Sequence, residues 1–120
     1  DGVVRGYDVY KDGKLSPWKP FVLTNNGHAD GLAVGEDGFV WVAMAYGSRV
    51  DVFESDGKLR QSLPVPLPMV TSVCFGGGDL KDLYVVTGSR DGPNENCGSI
   101  YKMRVDVAGL PITEAKIRFG

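Results

Sequence analysis

The sequence has a single histidine, His28, and two cysteines, Cys74 and Cys97. One cysteine falls in an apolar run and the other in a polar loop, so they cannot make the disulfide framework of small secreted domains, and both are expected as free thiols. Neither has a histidine near it in sequence, which argues against a Cys-His nucleophile. Charge of one sign is also lacking. A net charge of −2, with acids and bases interspersed, leaves no basic stripe for nucleic acid and no polybasic or amphipathic stretch for a membrane. Neither is expected as a partner. No apolar run has the length of a membrane span and no signal peptide opens the chain, so a cytoplasmic location is expected. No long window carries the 3.6-residue period of a helix. An initiator methionine is missing too: the chain starts at Asp1 as if already inside a strand, which suggests a piece of a longer parent.

Glycine and proline are plentiful. Seventeen glycines and seven prolines sit in short clusters between apolar runs, as turns do, in a chain that is 42% apolar and 23% charged. This favours many short strands. Residues 3–10 lead through Lys11-Asp12-Gly13-Lys14 into residues 15–23, and an Asp-Gly pair between apolar segments is a strong hairpin signal because glycine supplies the positive φ. A polar loop, Asn25 to Ala29, then delivers Asp30 at the mouth of the strand Leu32-Ala33-Val34. Asp37-Gly38 turns the chain into Phe39 to Ala43, and Arg49 to Phe53 alternates as a half-exposed strand should. Ser55-Asp56-Gly57-Lys58 turns again into residues 59–63, three prolines connect, and Thr71 to Phe75 with Leu83 to Thr87 begins another cycle. Ser99 to Val105 follows, with a last extended piece ending at Phe119.

The cycles repeat: Asp-Gly-Lys-Leu at Asp12 returns at Asp56, and Trp41 corresponds to Tyr84. Units of about 40 to 50 residues with four strands each are propeller blades. In each cycle the first two strands are the most apolar. The expected fold is therefore all-β, about two and a half four-stranded antiparallel blades: residues 1–24 the outer hairpin of one blade, 25–64 a full blade, 65–120 another. Such an arc cannot close alone, since a closed propeller needs at least four blades and an open one exposes apolar faces. Either further N-terminal blades or a second copy, as a homodimer, is expected to complete the ring.

Blade connectivity puts residues 25–30, 46–48, 64–72 and 89–98 on one face, opposite the Asp-Gly turns. That face holds the candidate residues. Asp30 reads either as an Asx-type turn before Gly31 or as a ligand for a hard divalent cation, since carboxylate oxygens suit such ions. His28, Thr71, Ser72 and Arg90 are candidates to face a substrate, although His28 also reads as a loop-surface residue and Arg90-Asp91-Gly92 as an exposed turn. Trp41 and Tyr84 read as blade core. Gly76-Gly77-Gly78 lacks a following Lys-Ser or Lys-Thr and opens no helix, which disfavours a phosphate cradle.

The stretches HADGLAVGEDGFVWVA, GSRVDVFESDGKL, TSVCFGGGDLKDLYVVTGSRDG and GSIYKMRVDVAGLP resemble, in order and spacing, the C-terminal portion of the SMP-30/gluconolactonase/LRE-like family. The resemblance implies a partial six-bladed propeller. It also implies a divalent cation, Ca2+ or Zn2+, over the channel and hydrolysis of small-molecule sugar lactones. The family's P-D-G-[LM] acid, a cation ligand thought to act in water activation, falls on Asp30, with Ala29 where the family usually has proline. The family's other ligands, an N-terminal Glu and a mid-chain Asn, belong to blades upstream of Asp1, so the implied site is partial in this chain.

Overall fold

The computed structural model describes residues 2–89 and 97–118. Nine strands form three antiparallel sheets and no helix occurs among the described residues. β1 (Val3–Gly6) pairs with β2 (Lys19–Leu23); β3 (His28–Val34), β4 (Val40–Ala45), β5 (Arg49–Phe53) and β6 (Leu59–Pro64) form the second sheet in sequence order. β7 (Val70–Gly76), β8 (Asp82–Thr87) and β9 (Ile100–Arg104) form the third. Each sheet is a meander of neighbours, the topology that short Gly-containing connections enforce.

The hairpins turn the same way each time. Gly13, Gly38 and Gly57 have φ of 82°, 82° and 89°, and each donates its N–H to the carbonyl three residues back. Asp12, Asp37 and Asp56 accept from the N–H two residues on. These are type I turns followed by a left-handed residue. A fourth copy, between β7 and β8, is hidden in the sequence because Leu80 (φ 56°) takes the glycine position while Asp79 still accepts from the Lys81 N–H.

Two apolar clusters hold the sheets together. Val42 and Met44, both fully buried, point with Phe53 toward Val4 and Val22 of the first sheet. Trp41, Ala43, Val50 and Val52 point the other way and meet Val70, Val73, Leu83 and Val85 of the third. The second sheet is therefore covered on both faces, and the expected gradient from apolar inner to polar outer strands is corrected: β4 and β5 are the most buried, while β3 alternates in exposure. β5, read as half-exposed, is buried from Val50 to Phe53, because a middle strand between two packed faces has no solvent side. Trp41 is core, 6% exposed and edge-on to Phe75 at 5.3 Å. Tyr84 is only half-buried. It lies on the face of β8 opposite Leu83 and Val85, under the Lys102 ammonium at 5.7 Å from its ring.

Beyond β9 the chain returns. Glu36 donates to Ala108 O, Leu110 to Val34 O, and Gly109 to Leu80 O, which ties the second and third sheets at their turn end. Residues 110–118 belong to no strand among the described residues.

Candidate functional site

Asp30 lies inside a strand. Sequence reading placed it in a loop at a strand mouth, but β3 begins at His28, and its register against β4 slips between Ala29 (opposite Met44) and Leu32 (opposite Val42). Two residues of β3, Asp30 and Gly31, thus face one of β4, Ala43, which is a β-bulge. The polar residues looked like a loop because β3 is an edge strand of its sheet: His28, Asp30 and Leu32 are exposed, so polarity costs nothing there.

β7 carries a second bulge at the corresponding place, between Val70 (opposite Thr87) and Ser72 (opposite Val86), with Thr71 as the extra residue. The two bulges touch. A methyl built on Gly31 would lie 2.8 Å from Thr71 O and 2.9 Å from Ser72 Cα and Oγ, so only glycine lets the edge strands approach this closely. Three of the candidate residues are thereby brought together: Asp30 beside Gly31, and Thr71 and Ser72 against it. Thr71 donates its hydroxyl proton to Val86 O at 3.2 Å, whereas Ser72 is exposed. His28, also exposed, opens β3 opposite Ala45. Arg90 lies outside the described residues.

Below the bulges the edge strands line an apolar cleft of about 470 Å3 with Leu32, Val34, Cys74, Phe75 and Leu110 on its walls. Asp30 offers one hard oxygen ligand to a cation, the right chemistry for Ca2+. Among the described residues no three His, Cys, Asp or Glu side chains converge into a cation set, so the described chain alone does not complete one.

The charged centre that sequence reading missed stands behind this rim. Arg49 Nε donates to both Asp51 oxygens at 2.9 Å, Nη1 to Asn26 O at 2.7 Å and Gly47 O at 3.3 Å, and Nη2 to Asn25 O at 2.8 Å. Ser62 Oγ donates to Asp51 Oδ1 at 2.6 Å, and the Asp51 side chain is 6% exposed. The signal was available as an opposite-charge pair at i and i+2 on one face of a strand.

A second ionic group lies on the outer face of the third sheet. Arg104 donates to Asp79 and to Asp82, and Lys102 pairs with Asp82 at 2.9 Å. The Arg104 guanidinium, helped by the Lys81 N–H, holds the Asp79 carboxyl well below the usual carboxylate range. Lys102 first and Arg104 second lower that of Asp82, and Asp82 in turn raises Lys102.

Comparison with known proteins follows the same lines. The pentonolactonase XacC of Haloferax volcanii is 33% identical over 104 residues, covering 78% of this chain and 36% of that protein. Regucalcin of Xenopus laevis is 36% identical over 107 residues, covering 81% of this chain and 35% of its own length. This chain therefore spans about a third of the length of these curated relatives. Among solved structures, a luciferin-regenerating enzyme superposes on 97% of the chain and 42% of its own, with a TM-score of 0.84 and 27% identity. The family model for the SMP-30/Gluconolactonase/LRE-like region matches residues 1–89. With its partial propeller of meandering sheets, this chain belongs to the SMP-30/gluconolactonase/LRE-like family.

Proposed function

We propose that the chain forms part of a metal-dependent hydrolase of sugar-type lactones, in which Asp30 is the carboxylate that serves the reacting water. The observation that carries this reading is the pair of facing bulges, which present an exposed acid where two edge strands are locked together. The similarity to a pentonolactonase supports the substrate class. Hydrolysis of a lactone requires water to attack the acyl carbon, the ring oxygen to leave as a hydroxyl, and a proton to pass from the water to that oxygen. Asp30 beside the water accepts the proton, work typically worth about 10²- to 10⁴-fold in rate. On this reading Ser72 and His28, exposed on the two edge strands, would meet the hydroxyls of a sugar-derived substrate. A divalent cation of the Ca2+ or Zn2+ type, held by Asp30 with ligands from other blades, would polarise the lactone carbonyl and make bound water more acidic.

The test is hydrolysis of a panel of aldonolactones, followed with a pH indicator, by a complete propeller carrying this sequence. Asp30→Asn is expected to lower kcat by about 10²-fold or more. Chelation is expected to abolish the activity and added cation to restore it. Activity that survives Asp30→Asn removes Asp30 from the mechanism.

A second reading is favoured by the exposed apolar side chains of the first hairpin, among them Val9 at 72% and Leu23 at 75%. On it, the chain is a non-catalytic half-propeller that pairs with a second copy. The solution mass separates the two.

A further inference from the structure

Arg49 holds two separate turns at once. Its guanidinium bonds to Asn25 O and Asn26 O in the link before β3 and to Gly47 O in the β4–β5 turn, more than twenty residues apart in sequence, with Asp51 fixing its Nε edge. Three of the four non-glycine residues with positive φ among the described residues, Asn26 (49°), Tyr46 (60°) and Ser48 (51°), lie in these two turns. Backbone in that region is retained only where its surroundings over-determine it, and it gathers at functional rims. The two turns also pack backbone to backbone: a methyl on Gly47 would fall 3.0 Å from Asn26 O and 2.8 Å from Arg49 Nη1.

A buried ion pair is a poor way to gain stability, since apolar residues of similar volume often serve as well or better. What the planar fork supplies instead is geometry, because its donors point in fixed directions. We propose that Arg49 is a positioning residue for Asp30. It pins the link just ahead of His28, so that β3 starts in the phase that puts its bulge against Thr71 and Ser72 with the acid outward. Asp51 and Ser62 keep the guanidinium from turning. The proposal rests on the assignment of Asp30 above.

Two measurements test it. In the isolated chain, Arg49→Met is expected to speed amide hydrogen exchange at residues 26–31 by about tenfold or more, with exchange in β8 unchanged. In a complete propeller carrying this sequence, Ca2+ affinity measured calorimetrically is expected to fall about 10- to 100-fold in Arg49→Met, the range seen when the partners that orient metal ligands are removed. Asp51→Asn is expected to shift affinity the same way by less, and it stands in if Arg49→Met does not fold. Val50→Ala, on the same strand, is expected to lose stability without losing Ca2+ affinity. Unchanged affinity in the clamp variants, with loss in Asp30→Asn, overturns the clamp and leaves Asp30 in place. Unchanged affinity in Asp30→Asn overturns both. Full rescue by Arg49→Lys, which keeps the charge but not the fork, also overturns the proposal.

Discussion

A side chain at position 31 has nowhere to go. Gly31→Ala would drive a methyl into Thr71 O and the Ser72 backbone, neither of which is the yielding end of a flexible side chain. Forced contacts of this kind cost about 1–3 kcal/mol, and the expected result is a lower urea midpoint with an unchanged slope. Lactonase activity of a complete propeller is expected to fall with it, because the edge strands that carry Asp30 and Ser72 must part. Met44 tests the opposite kind of residue. It is fully buried between the first two sheets, and Met44→Ala is expected to cost about 2–5 kcal/mol, read as a lower urea midpoint.

At the scale of the element, the third sheet has its own dependence on pH. The carboxyls of Asp79 and Asp82 are held below their unfolded value near 3.8 by Arg104 and Lys102. The stabilisation they give is complete above that value and is lost as pH falls through the depressed folded values. Acid titration followed by circular dichroism is therefore expected to show Arg104→Gln unfolding at a higher pH than the parent chain, and equal acid midpoints would remove this role. Elements were legible in the sequence where local chemistry decides them. The three Asp-Gly turns announced their hairpins because glycine takes the left-handed position that ends such a turn without steric cost. The fourth, at Leu80, stayed hidden because tertiary contacts impose the same conformation on a residue that does not prefer it. β5 was misjudged since alternation cannot distinguish a solvent face from one on which Arg49, Asp51 and Ser62 satisfy each other.

For the whole molecule, the repeat of turns and apolar runs was enough to read a partial propeller, because each sheet is built from its own neighbours in sequence. The site was legible only in part. Asp30, Thr71 and Ser72 were named, but their meeting depends on two register slips that no periodicity reveals. The open arc also leaves Val9 and Trp18 of the link between β1 and β2, Leu23 of β2 and Ile100 of β9 in solvent. On the reading in which the chain pairs with a second copy, light scattering on the isolated chain is expected to give at least twice the mass of one copy, and a monodisperse single copy would exclude that reading. The slip in β3 has a wider effect. It turns Ala29 toward the cluster shared with the first sheet and Ala33 toward the cluster shared with the third, although an unbroken strand would put residues four apart on the same side. Asp30 is thus also the surplus unit that lets one strand mortar two neighbours, so a lineage abandoning the chemistry could swap this acid for another residue but could not excise it without turning the wall inside out.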